Sequence, residues 1–142
     1  MTKMNYKIIG KYIKNLNFSI PSSKSFFLLS KNISNYKINI DIKSNQVDKN
    51  IIEIILTLSL TPIKDDFEKI NSKIEFSTIV QLTDSSISKN EIEKIVLISV
   101  PTEVYAELRK IFISLFENSG FRDVKINETV DFEKLYNLNR IQ

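Results

Sequence analysis

The sequence predicts an α+β fold in which a four-stranded antiparallel sheet carries two C-terminal helices on one face. Apolar and polar residues alternate through much of the first hundred positions, which is the period of a strand, whereas after Pro101 the apolar residues recur at helical spacing. Connections between successive strand-like segments are short, which favours antiparallel neighbours. Strands followed by helices are typical of α+β domains. We expect residues 1–142 to form a single domain.

Three segments carry the alternation that is typical of strands: residues 38–42, 51–61 and 70–82. Pro62 ends the second segment, because proline cannot donate to a central ladder. Residues 64–66, Lys-Asp-Asp, are predicted as a charged hairpin connection to the third.

Three further apolar stretches have weaker patterns. The run Ile92–Val100 is predicted as a fourth strand, and residues 7–20 as an irregular extended segment that Pro21 closes. Residues 26–29, Phe-Phe-Leu-Leu, are interpreted as a short apolar cluster between polar residues.

Two helices are predicted near the C-terminus. The first, of about four turns, follows from the helical spacing of five apolar side chains: Val104, Leu108, Ile111, Phe112 and Leu115. Residues 118–120, Asn-Ser-Gly, supply its stop signal. The second helix begins at the predicted N-cap Asp131.

The absence of cysteine and histidine excludes the commonest catalytic and metal chemistry. Without thiolate or imidazole there is no zinc site of the usual kind, no cysteine nucleophile and no histidine general base. The two glycines, Gly10 and Gly120, are too far apart to form a phosphate-binding loop, and no GxSxG or SxxK motif occurs. We predict no enzyme activity, no metal and no cofactor, although a serine/lysine or twin-carboxylate site stays open as the last-ranked class.

The charge pattern bears on partners and location. The formal net charge is +3, but the lysines alternate with acidic residues along the chain. A nucleic-acid footprint is usually clustered, so we expect no nucleic-acid partner and keep a basic nucleic-acid-binding domain as a lesser alternative. No apolar run reaches the roughly 20 residues of a membrane span, and residues 1–6 lack the core of a signal peptide. We expect a cytoplasmic protein without membrane insertion.

Four stretches, in order along nearly the whole chain, carry a family resemblance. They are YIKNLNFSIP at 12–21, the strand pair around Gln46 followed by EIIL at 53–56, Pro101 leading into a helix with Arg109, and Gly120-Phe121 followed by VDFEKLY at 130–136. Together they resemble the SecB family of protein-export chaperones, with Val100 in place of the cysteine that precedes the family's proline.

The resemblance implies a homotetramer, built as a dimer of dimers, that binds unfolded precursor proteins without ATP and passes them to the motor SecA. It implies long apolar grooves that hold these clients. Mapped onto this sequence, the groove residues are Tyr12, Leu16, Phe18, Tyr36, Ile38, Ile40, Phe132, Leu135 and Tyr136. Groove and core both suit the strand residues Ile38 and Ile40. Tyr12, Phe18 and Tyr136 are the better groove candidates, because they lie in an irregular segment or near a terminus.

The positions that correspond to the family's motor-docking carboxylates differ here. They read Asn15, Ser19 and Lys73, and lost or reversed charges weaken steering towards a basic partner. The chain also ends at Gln142, shortly after the last predicted helix. We therefore expect altered coupling to SecA, which leaves two alternatives: an export chaperone whose partner has changed with it, or a SecB-like chaperone devoted to one client such as an antitoxin.

Overall fold

A four-stranded antiparallel sheet forms the centre of the fold, which confirms the predicted fold class. A computed structural model of the protein describes residues 5–32, 36–62, 70–121, 124 and 126–141. The strands lie in the order β1-β4-β3-β2, and all neighbours are antiparallel. Their bounds are β1 Tyr6–Ser19, β2 Tyr36–Asp48, β3 Ile51–Pro62 and β4 Asn71–Leu82.

Helices follow β1 and β4. Helix α1, Ser23–Asn32, connects the two edge strands, and α2, Lys89–Lys94, leads through a π-helical turn at Ile95–Ser99 into α3, Val100–Glu117. Helix α4, Phe132–Ile141, follows an irregular segment. Within the described ranges, no helix has the length and apolar composition needed to cross a membrane.

The core lies between one face of the sheet and α3. Alternate residues of the two central strands point to this inner face and are almost completely buried: Ile54, Leu56, Leu58, Ile74, Phe76 and Val80. They share one cluster with the buried stripe of α3, which consists of Val100, Val104, Leu108, Phe112 and Phe116. Burial of each such side chain contributes about 1.5–3 kcal/mol. The apolar residues that the strand and helix patterns predicted to be buried therefore lie together in one core.

The fourth strand is β1 and not the predicted run Ile92–Val100, so that part of the prediction was wrong. The register of β1 against β4 shifts at Ile8/Gly10 and again at Ile13/Asn15. Each shift moves the alternation out of phase, which explains why the sequence pattern looked irregular. A short continuous apolar run such as Ile92–Val100 suits a buried helix as well as a strand.

Pro101 lies inside the helical region, directly after the π-helical turn at Ile95–Ser99 and the first residue of α3. Proline has no N–H to donate to the carbonyl of Leu97, four residues before it. One residue earlier, the N–H of Val100 donates to the carbonyl of Ile95, five residues back, and not to that of Val96, four residues back. The hydroxyl of Thr102 donates to the carbonyl of Ile98 at 2.6 Å.

The apolar cluster at 26–29 belongs to a helix, α1, which the sequence pattern did not predict. Its Leu29 is buried, and the ring of Phe26 lies 4.9 Å from that of Phe121. Phe27 is 64% exposed. The predicted connection at 64–66 lies outside the described residues.

Both predicted C-terminal helices are confirmed with their end signals. Asp131 caps α4, since its Oδ1 accepts from the N–H of Lys134 at 3.0 Å. At the end of α3, the N–H of Phe121 donates to the carbonyl of Phe116 at 2.9 Å, and Gly120 between them has a φ of +94°. This is the hydrogen-bond pattern of a Schellman motif with glycine at its left-handed position.

Gly120→Ala should lower the free energy of unfolding by about 1–2 kcal/mol, because the left-handed backbone is strained with a side chain. The added Cβ would also lie 3.2 Å from two ring atoms of Phe26. The matched control is Gly10→Ala, whose Cβ meets Ile79 at an ordinary 3.6 Å. Urea denaturation of both variants measures the difference, and equal stabilities of the two would contradict this role of Gly120.

Candidate functional site

An apolar pocket opens between β2, α4 and the helix that leads into α3. Its volume is about 340 Å³, and we call it the α4 pocket. The residues that line it are Ile40, Asp41, Ile42, Glu93, Leu97, Phe132, Leu135 and Tyr136. Apolar side chains dominate this lining, and its charged side chains are both carboxylates. Such a surface suits the burial of an apolar side chain from another molecule.

Helix α4 forms one wall of the pocket because its amphipathic face packs on the protein. Phe132 and Tyr136, four residues apart, are both buried, while Leu135 is 43% exposed and borders the pocket. The ring of Phe132 meets that of Tyr105 edge-on, with centroids 6.0 Å apart. The hydroxyl of Tyr136 lies 3.5 Å from Oδ1 of Asn90 on α2.

The segment before α4 is tethered to α3 by two side chains. The hydroxyl of Tyr105 donates to the carbonyl of Asn127 at 2.7 Å, and Nε of Arg109 donates to the carbonyl of Ile126 at 3.1 Å. Burial raises the pKa of Tyr105, and its neutral hydroxyl is the donor in this hydrogen bond. These two hydrogen bonds fix the segment that leads into α4, and so they help to position α4 as a wall of the pocket.

A second pocket, of about 280 Å³, lies farther along β2 towards the turn at residues 49–50. Its lining includes Ser44 and Gln46 of β2, with Ile92 and Val96 of the helix opposite. The two pockets therefore follow the same strand and the same helix, and the second has more polar side chains along β2.

The structure brings four of the predicted groove residues together in the α4 pocket: Ile40, Phe132, Leu135 and Tyr136. Ile38 lies on the same face of β2 and is half-buried against the core, while Tyr36 is buried in the core itself. The lining residues that the sequence interpretation did not select are Asp41, Ile42, Glu93 and Leu97. Ile42 continues the alternation of Ile38 and Ile40, so that pattern could have included it.

The other three predicted groove residues lie on β1, at the opposite edge of the sheet from β2. The ring of Phe18 packs edge-on against Phe116, with centroids 4.9 Å apart. Leu16 is 39% exposed at this edge. Tyr12 points to the outer face of the sheet, where its hydroxyl donates to Oε2 of Glu53. These three side chains do not border the α4 pocket of their own chain.

Glu53 is a buried carboxylate on the outer face of the sheet, at the centre of a small hydrogen-bond network. Ser77 donates to its Oε2 at 2.6 Å, Tyr12 donates to the same oxygen, and Lys14 lies 3.3 Å from Oε1. The hydrogen bonds from Ser77 and Tyr12, together with the ammonium of Lys14, lower the pKa of Glu53 to about 2. The network links β1 to β3 across β4.

The three positions that correspond to the motor-docking residues lie on β1 and β4. Nδ2 of Asn15 donates to Oε1 of Glu75 at 3.3 Å, and Nζ of Lys73 is 3.9 Å from the same oxygen. Ser19 pairs with Asn71 at the end of the β1–β4 ladder. Asn15 and Lys73 thus converge on a carboxylate that the sequence interpretation did not select.

Comparison with solved structures identifies the class of protein that has this fold. The SecB-like chaperone of Mycobacterium tuberculosis, solved in complex with a ChAD peptide from the HigA1 antitoxin, matches with a TM-score of 0.66 at 8% identity. The match covers 89% of this chain and 88% of that one. The sheet and its helices therefore form a SecB-like chaperone fold.

Sequence comparison identifies the family. Residues 1–142 match the family SecB, described as preprotein translocase subunit SecB. A Pelagibacter ubique protein provisionally named protein-export protein SecB is 36% identical over 132 residues, which cover 93% of this chain and 94% of the relative. The protein-export protein SecB of Rhodospirillum rubrum is 25% identical over 138 residues, with 95% and 81% covered. The chain belongs to the SecB family of protein-export chaperones, as the four ordered stretches predicted.

The Glu53 network should make stability depend on pH in the acidic range. An unfolded glutamate titrates near pH 4.3, whereas folded Glu53 has a pKa of about 2. Its contribution is therefore complete above about pH 4.5 and is lost as the pH falls through the folded pKa. Urea denaturation measures the free energy of unfolding at pH 5 and at pH 2. Between these two values the wild type should lose roughly 2 kcal/mol more of this free energy than Glu53→Gln loses.

Glu75→Gln is the matched control, since it removes an equal charge from a half-buried position on β4 in the same sheet. It should keep most of the wild-type pH dependence. If the stability of Glu53→Gln depends on pH as that of the wild type does, the hydrogen-bond network of Glu53 does not contribute the proposed free energy.

Proposed function

We propose that this protein holds unfolded or precursor polypeptides, without ATP and without catalysis, by binding their apolar side chains in the α4 pocket. The observation that carries this proposal is the apolar pocket between α4 and β2. We further propose that residues 1–142 act as one chaperone domain in the cytoplasm, in support of protein export.

Two physical terms favour binding of an extended chain at this place. Burial of apolar surface is worth about 25 cal/mol per Å² and requires no particular client sequence. In the described part of the chain, β2 pairs with β3 on one side only, so its other edge offers backbone groups for strand addition. Both terms suit a chaperone that accepts many clients.

We propose a homotetramer, a dimer of dimers, as the working assembly. Exposed apolar side chains at the edge strand β1 support it, since Ile9, Ile13 and Leu16 are each 39–48% exposed. Three strand spacings of about 4.8 Å separate β1 from β2. A client chain bound in the α4 pocket that also contacts Tyr12, Leu16 and Phe18 would therefore reach these residues on another subunit of the tetramer.

Two sets of partners are candidates. The first is SecA with many precursor proteins, in a general export route, and the second is a single dedicated client. Asn15 and Lys73 stand where acidic docking residues were expected, which favours a changed motor interface. The Mycobacterium tuberculosis SecB-like chaperone was solved with an antitoxin peptide, which favours a dedicated client. Co-purification from the native cell distinguishes them, since it recovers either SecA with many precursors or one abundant client.

Leu135→Asp should weaken client binding about tenfold, because it places a charge at the border of the α4 pocket. Leu138→Asp is the matched control, since Leu138 is similarly exposed at 49% on the same helix but lies outside this pocket. Fluorescence anisotropy with a labelled, permanently unfolded polypeptide and suppression of client aggregation measure the effect. Equal behaviour of the two variants would exclude the α4 pocket as the client site.

Light scattering should give the mass of four chains of 16.5 kDa each. Ile13→Asp should reduce this mass, because it places a charge in the proposed contact along β1. Lys11→Asp, at an exposed position of the same strand whose Nζ pairs with Glu107, tests whether any charge change on β1 has the same effect. A wild type with the mass of one chain would contradict the assembly.

A further inference from the structure

The π-helical turn at Ile95–Ser99 lies where the helical region borders the α4 pocket. Leu97, in the middle of this turn, lines the pocket, and Glu93, one helical turn before it, lines it as well. The turn contacts both α3 and α4. π-Helical turns are rare and occur frequently at functional sites, and this one alters which side chains around it face the core.

The turn changes which residues continue the buried stripe of α3. In an uninterrupted α-helix, the residues below Val100 would be Leu97 and Val96, three and four positions back. Here the hydrogen bond from Val100 reaches Ile95, five positions back, and Ile95 and Val96 are both buried in the core, at 6% and 8% exposed. One extra residue corresponds to a rotation of about 100°.

Leu97 gives up its place beside Val96 in the buried stripe to Ile95, and it keeps only a partial contact with the core. It is half-buried, unlike Val100 and Val104, which are at most 3% exposed. Its side chain lines the space between β2 and α4, which Ile42 and Phe132 also line. Pro101 has no N–H to donate to the carbonyl of Leu97, and the position of the Leu97 side chain is a separate feature of the turn.

We propose that the π-helical turn is a positioning element for client binding, which places Leu97 in the wall of the α4 pocket as a residue that contacts the client. This inference rests on the proposed holding function and adds a named contact and the backbone feature that presents it. The occupant is an apolar side chain of an unfolded polypeptide. In an uninterrupted helix Leu97 would lie in the buried stripe beneath Val100, whereas here it only borders the core.

A fluorescent label tests the contact without disturbing the fold, because the chain contains no cysteine. Leu97→Cys and Ile98→Cys each give one site for an environment-sensitive dye. Ile98 is the matched control, since it lies in the same turn, is half-exposed and borders neither pocket. Addition of a reduced, carboxymethylated protein as an unfolded probe should shift the emission of the dye at position 97 to shorter wavelength and leave that at position 98 unchanged.

Truncation variants test whether the turn acts through Leu97. Leu97→Ala should weaken binding of the unfolded probe about fivefold, and Ile98→Ala should not change it. Deletion of Ile98 removes the extra residue, so α2 should rotate and binding should weaken at least as much. Leu97→Ala added to this deletion should have no further effect, because Leu97 no longer faces the pocket.

Three results would overturn the inference: no dye response at position 97 while the wild type binds the probe, wild-type affinity of a folded Leu97→Ala variant, or a further fivefold loss when Leu97→Ala is added to the deletion. Circular dichroism shows whether each variant is folded. If the deletion variant is unfolded, the dye experiment at positions 97 and 98 provides the test in its place. A wild type that does not bind the unfolded probe would instead refute the holding function itself.

Discussion

The burial of one face of β3 and β4 beneath α3 is the constraint on which the rest of this structure depends. Leu58, Ile74, Val100 and Leu108 have essentially no exposed surface, and this contact fixes the orientation of α3 on the sheet. The tethers from Tyr105 and Arg109 then position the segment before α4. The α4 pocket is thus a consequence of core packing, since each of its walls is an extension of an element that the core has already placed.

Core and pocket surfaces compete for the same kind of residue in this chain. On β2, Ile38, Ile40 and Ile42 all pack against the core, and Ile40 and Ile42 also border the pocket. The difference is one of position along the strand, because α4 and the π-helical turn cover only part of it. A chaperone of this size must leave apolar surface uncovered at chosen places, and here those places are the margins of helices and the edges of the sheet.

The sequence predicted the elements whose pattern is local. The alternation of Ile38, Ile40 and Ile42, the spacing of Val104 and Leu108, and the cap at Asp131 each report an interaction within one element. It misassigned Ile92–Val100, because a short apolar run has no period that separates strand from helix and because Pro101 suggested a boundary. It overlooked β1 as a strand since two bulges interrupt its alternation. Leu97 could not be selected for the pocket without knowledge of the turn that displaces it.

The hydrogen-bond network of Glu53 has a consequence for how the edge of the sheet fluctuates. An edge strand ordinarily separates from its neighbour by local fraying, and its amide hydrogens exchange with solvent through that opening. Tyr12 and Lys14 attach β1 to the buried carboxylate of β3, beyond the strand with which β1 pairs. Local opening of β1 near Tyr12 must therefore also break contacts to the centre of the sheet, so amide exchange there should resemble that of a central strand.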